Sequence, residues 1–438
     1  MMENRSVSIQ DVLRAREERA AKQLEMRNRH ASPVLSFTMN IAGSIKNNAE
    51  ITCAFQEGKA RILRQLKRMK AAVLSYEETI AFTGCEALWA VDADAQELKK
   101  RMCAIEEADA LGRLFDIDVL DADGAHLSRG EERTCLVCGG PVRACARSRQ
   151  HTADEIFSRT MDIIREWMNE RFVQLVGENA QRALLYEALT TPKPGLVDCE
   201  NSGAHSDMDL FSFAASACTL RNYFETCVRL GMEKAPAKRL QYAGMEAEDA
   251  MLAAAGANTH KGAIFSLGIL CCAAGYCGET ASMDELLQQA ARLGSVFLQQ
   301  MKSSPGAATG GEQQYLRYGL TGARGEAASG FATARSVALP LLEENAQDAG
   351  LHALLALMAQ VQDSNIIRRA GMEGQQWAME QAKQMLENNW TKDDLRRMND
   401  AFTARGISPG GSADLLAVAY FLHFWKCRRP IGCFIRRR

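Results

Sequence analysis

The apolar pattern of this chain changes character once, near Asp154. Ahead of that point, β-type runs alternate with amphipathic helical stretches. Beyond it, nearly every segment has helical spacing without strand alternation. A single core rarely organises 438 residues, so the change marks a domain boundary. The expected architecture is α+β, with a mixed α/β domain over residues 1–171 and an all-α domain over 172–438. No Gly/Ser linker marks the joint. It is placed near residues 168–178, inside or just after the amphipathic run EIFSRTMDIIREWMNERFVQLV.

In the first half, SPVLSFTMNIAG, CEALWAVDA and RLFDIDVLDADG read as strands closed by turn residues. SIQDVLRAREERAAKQLEMRNRH, FQEGKARILRQLKRMKAA and AQELKKRMCAIEEADAL read as helices, the last capped by Asp94. In the second half, AASACTLRNYF, MEAEDAMLAAAG, AIFSLGILCCAAG and LHALLALMAQV are helical between Gly/Pro/Asn loops. The most apolar window, ADLLAVAYFLHFW, is too short to span a bilayer and reads as a buried helix.

A formal net charge of -2 lacks the basic field of a nucleic-acid binder. The basic KCRRP and terminal RRR read as a solvated helix end and a frayed terminus. The charged opening stretch does not resemble a signal peptide, so a cytoplasmic protein is expected. Its 14 cysteines are then reduced thiols, with Cys218, Cys227, Cys271 and Cys272 packed as small hydrophobes.

Chemistry-bearing residues fall into two sets. In GRLFDIDV, which also carries Arg113, Asp116 and Asp118 are alternate residues of a strand and share a face. An isolated pair of this kind is ordinarily solvated, but this one is flanked by Phe115, Ile117, Val119 and Leu120 and needs compensation. Two such carboxylates suit Mg²⁺, which neutralises phosphate charge in phosphoryl and nucleotidyl transfer. Cys135, Cys138, Cys145 and His151 have spacings that a structural, tetrahedral Zn²⁺ accepts. The same residues also fit three reduced thiols and a surface histidine.

The second set consists of polar islands in helical sequence. SPGGSADLLA is a glycine-rich turn entering a helix, where Ser408, Gly410, Gly411 and Ser412 suit a phosphate, or where Ser412 is simply the N-cap. NTHKGAIF repeats the device: Asn258 or Thr259 caps a helix whose first turn presents His260 and Lys261. A lysine there opposes the helix dipole, which a bound anion would explain. PKPGLVDCENSGAHSDMD offers Lys193, Asp198, His205, Asp207 and Asp209. GARGEAASGF sets Arg324 and Glu326 at a helix start, and DSNIIRRAG adds Asp363 and Asn365. Together the islands point to a polyphosphate-plus-metal site.

LSFTMNI, GRLFDIDV, CLVC, CAR and His151, in this order over about residues 10–165, resemble the apo-citrate lyase phosphoribosyl-dephospho-CoA transferases, or holo-citrate lyase synthases. NIAGS stands where that family reads NIPGP, while Asn40 and Lys46 remain. The resemblance implies a nucleotidyltransferase-type domain that binds substrate through Asn40, Lys46 and Arg113. It transfers phosphoribosyl-dephospho-CoA to a serine of the citrate lyase acyl carrier protein (gamma subunit) and releases diphosphate. The islands over about residues 178–425 resemble triphosphoribosyl-dephospho-CoA synthases, although DSNIIRRAG departs from that family's DTN-x-x-x-RGG. This implies that the 2′-hydroxyl of 3′-dephospho-CoA attacks C1′ of ATP and displaces adenine. Such chemistry needs cations around the triphosphate and a carboxylate near C1′. Asp198, Asp207 and Glu326 are the candidates. The expected protein is thus a fused bifunctional enzyme using ATP and dephospho-CoA, with no nucleic-acid or membrane partner. The alternative is a nucleotide hydrolase fused to a zinc-stabilised carrier-protein adaptor.

Overall fold

The structure is a computed structural model that describes residues 5–130, 132–303, 310–344 and 346–428. The terminal RRR lies outside them. The chain divides into two compact units, one ending at Arg171 and one spanning Phe172–Arg428.

In the first unit the order is α1 (Ile9–His30), β1 (Val34–Met39), α2 (Ala49–Met69), β2 (Ala72–Ala81), β3 (Gly84–Asp92), α3 (Ala95–Glu107), β4 (Phe115–Leu120), α4 (Val142–Ser148) and the start of α5 (Ala153–Leu189). The strands form an antiparallel sheet of order β2-β3-β1-β4. Alternation gives the sheet two faces. Leu35, Phe37, Trp89, Phe115 and Ile117 belong to the main core with Ile51, Phe55 and Ile62 of α2, Leu98 and Met102 of α3, and Met161 and Ile164 of α5. Phe37 stacks on Phe55 and meets Phe115 edge-on. Each such ring contributes on the order of 1.5–3 kcal/mol by leaving water. A smaller cluster of Val34, Leu88, Ala90 and Leu120 packs with Met26 of α1.

Three expected strands are present, β1 and β4 shorter than their apolar runs and β3 shifted by one residue, and Asp94 caps α3 through Glu97 N–H at 2.8 Å. One reading is corrected. The helix expected to run on through Ala72 stops at Met69, where Lys70 turns left-handed (φ 55°), and a hairpin strand, β2, begins at Ala72. Its residues are largely exposed, so the apolar alternation that announces a strand is weak there.

The second unit is helical: the remainder of α5, then α6 (Leu210–Met232), α7 (Ala237–Ala255), α8 (Lys261–Cys277), α9 (Met283–Ser303), α10 (Gly310–Tyr318), α11 (Gly322–Ala328), α12 (Leu339–Glu343), α13 (Ala349–Met358), α14 (Ser364–Glu387), α15 (Lys392–Ala404) and α16 (Gly410–Cys427). Among its described residues there is no strand. Helices α8, α13 and α16 are apolar nearly all round and form its centre, with Leu267, Leu354, Leu416 and Phe421 fully buried. No helix among the described residues is long and apolar enough to cross a membrane. Cys227, Cys271 and Cys272 are buried as expected, whereas Cys218 is exposed, because it falls on the outer side of α6.

Candidate functional site

In the first unit, Asp116 and Asp118 stand opposite Thr38 and Ser36 of β1, one register step apart on the same face. Both side chains are about half exposed, at 52% and 50%, so a ligand can reach them. Partial burial, with the Asp118 carboxylate alongside, raises the pKa of Asp116 above the usual carboxylate range. Arg133 and Lys99 oppose this from 3.9 Å and 4.0 Å of Asp116 and Asp118 respectively. Lys99 is buried and donates to the Ile117 carbonyl at 2.9 Å. Glu106 is buried beneath, accepting from Ile117 N–H at 2.8 Å and pairing with Arg133. The strand end therefore carries two accessible carboxylates framed by cations, which suits a charged phosphate ester and a divalent ion.

Asn40 follows β1 directly, its N–H bonded to the Leu114 carbonyl at 2.8 Å, so it lies at the Asp116 end of the sheet. Lys46 folds back on the Ile41 carbonyl, and Arg113 donates to the Thr134 carbonyl. Both cations are engaged with backbone. Cys135, Cys138, Cys145 and His151 converge: their ligand atoms lie within 4.8 Å of one another.

In the second unit, the loop after α5 and the starts of α8, α14 and α16 bring buried charge together. Lys193 is 1% exposed and donates to the Glu187 carbonyl at 2.7 Å and to the Glu187 carboxylate. Asp198 accepts Lys193 N–H at 2.7 Å, Glu200 N–H at 2.7 Å and Asn201 N–H at 3.0 Å. Its oxygens thus shape the loop.

Asp363 caps α14 by accepting from Asn365 N–H at 2.9 Å, and its other oxygen accepts Ser412 N–H at 2.9 Å in the first turn of α16. The two glycines of the turn make this approach possible. A Cβ at Gly410 would lie 2.6 Å from Asn365 Nδ2, and one at Gly411 would lie 3.0 Å from Asp363 Oδ1. Ser412 is not the N-cap; Pro409 occupies that position, and Ser412 is buried against Asp363. Nor does Asn258 or Thr259 cap α8. Its N-cap is His260, without a side-chain cap bond.

His260 is buried. Its Nδ1 lies 2.7 Å from Ser216 Oγ, its ring meets Phe213 edge-on, and its Nε2 has no partner. Burial, helped by the nearby Lys193 charge, pushes its pKa down to about 3, so the ring is neutral. Lys261 points outward, about half exposed, and pairs with Glu248. His205 Nε2 sits 2.8 Å from the buried Ser408 Oγ, with Arg369 at 3.3 Å from Nδ1 and the exposed Asp207 at 3.9 Å. Asp209 instead caps α6. Arg324 lies 3.8 Å from Glu312; Glu326 accepts from Thr333 through one oxygen, and its buried Oε2 has no partner. A Cβ at Gly322 would lie 4.0 Å from Ser364 Oγ, which brings the start of α11 near that of α14.

Glu187, Ser216, Gly262 and Asp414 are the residues the sequence reading missed. Asp414 accepts from Ala263 N–H at the start of α8. Burial and the neighbouring Asp363 and Glu187 carboxylates raise it well above the usual range. Burial likewise raises Asp363 and Glu187, the latter against Lys193. Asp414 and Gly262 lie inside motifs already singled out, SPGGSADLLA and NTHKGAIF. Only their place in an Ala/Leu-rich or glycine-bearing helix hid them.

Comparison with known proteins agrees with this division. The family model for ATP:dephospho-CoA triphosphoribosyl transferase matches residues 174–430, and that for apo-citrate lyase phosphoribosyl-dephospho-CoA transferase matches residues 7–167. Protein CitXG of Haemophilus influenzae is 34% identical over 96% of this chain and 97% of its own length. The chain belongs to the CitXG family. Protein CitXG of Leuconostoc mesenteroides subsp. cremoris is 30% identical over 95% of this chain and 97% of its own. The Klebsiella pneumoniae 2-(5''-triphosphoribosyl)-3'-dephosphocoenzyme-A synthase is 42% identical over 55% of this chain and 88% of its own. This CitXG-family chain is therefore a multifunctional transferase of citrate lyase prosthetic-group biosynthesis.

Proposed function

We propose that the helical unit joins ATP and 3′-dephospho-CoA, giving 2′-(5″-triphosphoribosyl)-3′-dephospho-CoA and adenine. The first unit, of nucleotidyltransferase type, then moves phosphoribosyl-dephospho-CoA onto a serine of the citrate lyase acyl carrier protein and releases diphosphate. The observation that carries this reading is geometric: at the glycine-rich start of α16, Asp363 accepts Ser412 N–H at 2.9 Å and Asp414 lies against Gly262 of α8. An oxocarbenium-like centre at C1′ gains most where fixed negative charge surrounds it. Asp414 takes the role of the carboxylate at C1′, because its oxygen lies against Gly262 between the first turns of α8 and α16; in its ionised form it offers negative charge to C1′ and can accept the 2′-hydroxyl proton. Asp198 is left to hold the loop. Lys261, exposed in the first turn of α8, and Arg369 and His205, beside Ser408, supply contacts to the triphosphate.

In the first unit, Asp116 and Asp118 fit a Mg²⁺ ion, since their mutual repulsion is what such an ion relieves. When bound, the ion supplies charge neutralisation to the diphosphate. Arg133 and Lys99 hold the same oxygens' charge from the protein side. Joining both activities on one chain raises the local concentration of an intermediate that has a single use.

One assay tests the whole reading. The protein is incubated with ATP, dephospho-CoA, Mg²⁺ and apo-carrier, adenine is quantified, and the carrier is weighed by intact mass spectrometry. The expected result is adenine release that requires dephospho-CoA, with a carrier heavier by one phosphoribosyl-dephospho-CoA group. Adenine released equally without dephospho-CoA, with an unmodified carrier, would establish the hydrolase alternative instead.

A further inference from the structure

The cysteine-histidine cluster of the first unit is not used by either reaction. Cys135 and Cys138 sit on a tight knuckle: Cys135 N–H donates to the Gly140 carbonyl at 2.7 Å, and Gly139 N–H donates to the Cys135 carbonyl at 3.0 Å. Gly139 takes φ 73°, and Thr134 bridges Pro141 across the base. The backbone N–H groups of Val137 and Cys138 are aimed at the Cys135 sulfur. Cys145 comes from α4. The chain then reverses through the left-handed Arg149 and presents His151 just before the Thr152–Glu155 capping box of α5. Four soft donors from three short pieces of backbone thus meet at one point.

The distances fit one ion. Sulfurs each about 2.3 Å from a zinc at tetrahedral angles lie about 3.8 Å apart. Here Cys138 and Cys145 sulfurs are 3.4 Å apart, and all four ligand atoms lie within 4.8 Å of one another. His151 Nε2 is buried without a hydrogen-bond partner, a cost that an ion or its neighbourhood removes. Cys135 and Cys145 are buried as well. Between β4 and α5 only Leu127 and Leu136 of this segment pack on the main core, so a metal would add a firm anchor to the cysteine loops.

We propose that Cys135, Cys138, Cys145 and His151 bind one Zn²⁺ in a closed, structural site. Four protein ligands leave no open position, so the ion has no direct part in transfer. Its role is to fix the backbone that carries Arg133 and Thr134. Arg133 pairs with Glu106 and stands 3.9 Å from Asp116, and the Thr134 carbonyl accepts from Arg113. The ion therefore secures the cationic side of the aspartate pair; this consequence, unlike the binding itself, rests on the transferase reading above.

The test uses the full-length protein purified without chelators. Elemental analysis is expected to give about one zinc per chain, released by a mercurial thiol reagent into a chromophoric chelator. Replacement by Co²⁺ is expected to give thiolate-to-metal charge-transfer absorption and the strong visible bands of tetrahedral cobalt. Stripping the ion from the wild-type protein is expected to erase hydrogen-exchange protection over residues 133–151 while adenine release stays within two-fold. Cys138→Ser is expected to lose most of the zinc. Protein without metal whose thiols react freely, or one with a Cys138–Cys145 disulfide in place of metal, overturns the proposal. Either result leaves the transferase reading intact if carrier labelling proceeds. Bound zinc without carrier labelling overturns that reading instead.

Discussion

A Cβ atom placed on Gly262 would lie 1.9 Å from Oδ2 of Asp414. The first turn of α8 and the first turn of α16 thus touch at a point where backbone meets carboxylate, and Asp414 accepts from the neighbouring Ala263 N–H. Only glycine leaves room for the carboxylate to stay there.

Gly262→Ala should displace Asp414 and lower kcat for adenine release by at least about ten-fold, the cost of roughly 1.4 kcal/mol in the transition state. Carrier labelling from pre-formed triphosphoribosyl-dephospho-CoA should continue at the wild-type rate. The measurement is a pair of single-activity assays on one variant. Adenine release at wild-type rate would remove Asp414 from the role assigned to it.

Lys193 and Lys261 separate stability from substrate use. Lys193→Met leaves the Glu187 carboxylate buried without its cation, and breaking such a pair costs about 3–5 kcal/mol. Denaturant midpoints should fall accordingly. The exposed Lys261–Glu248 pair contributes at most about 1 kcal/mol, so Lys261→Ala should unfold almost as wild type does. Its kcat/KM for ATP should nevertheless drop severely. An unchanged kcat/KM would take Lys261 out of the triphosphate site.

Asp118→Asn is nearly isosteric and removes only charge. It should reduce carrier modification by about 10²–10³-fold, as the loss of a transition-state contact does, while adenine release remains. Triphosphoribosyl-dephospho-CoA should then accumulate, visible by chromatography. A carrier labelled at the normal rate would make the aspartate pair structural.

His260 gives the second unit a defined pH response. Its pKa is about 3 in the folded protein against a usual 6.5. Below pH 6.5 the unfolded chain takes up a proton that the folded chain refuses. The stability associated with this ring is therefore complete above pH 6.5 and is lost progressively as pH falls toward 3, by up to about 1.4 kcal/mol per pH unit. The raised Asp363, Asp414 and Glu187 work in the opposite sense. The comparison must therefore be between wild type and His260→Gln, whose unfolding midpoints should converge as pH drops from 7 to 4. Parallel curves would mean that His260 takes up its proton in the folded state as it does in the unfolded chain.

What the sequence made legible follows from what each residue type needs. The β4 aspartates were readable because alternation fixes their face, and the cysteine cluster because metal spacing is local. Strand β2 was not, because an exposed hairpin strand carries little apolar alternation. Capping chemistry read from neighbouring polar residues failed at Ser412, where the distant Asp363 replaced a local partner, and at Thr259, whose hydroxyl turns to the adjacent His260 ring. No local pattern announces that three backbone N–H groups converge on the candidate Asp198. Asp414 went unseen because it lies in an apolar helix, and Glu187 because it is one of many charged residues on the long α5; only packing makes either of them special.

One carboxylate, Asp363, terminates two helices at once, bonding Asn365 N–H of α14 and Ser412 N–H of α16. If α14 frays at its start and carries Asp363 away, α16 loses the bond to Ser412 N–H as well. Opening of the first turn of α14 therefore opens that of α16 with it, and amide exchange at Ser412 should be at least as easy as at Asn365. The glycine turn between Ser408 and Ser412 is then a latch sprung from a distant loop, held shut by a residue 49 positions away in the chain.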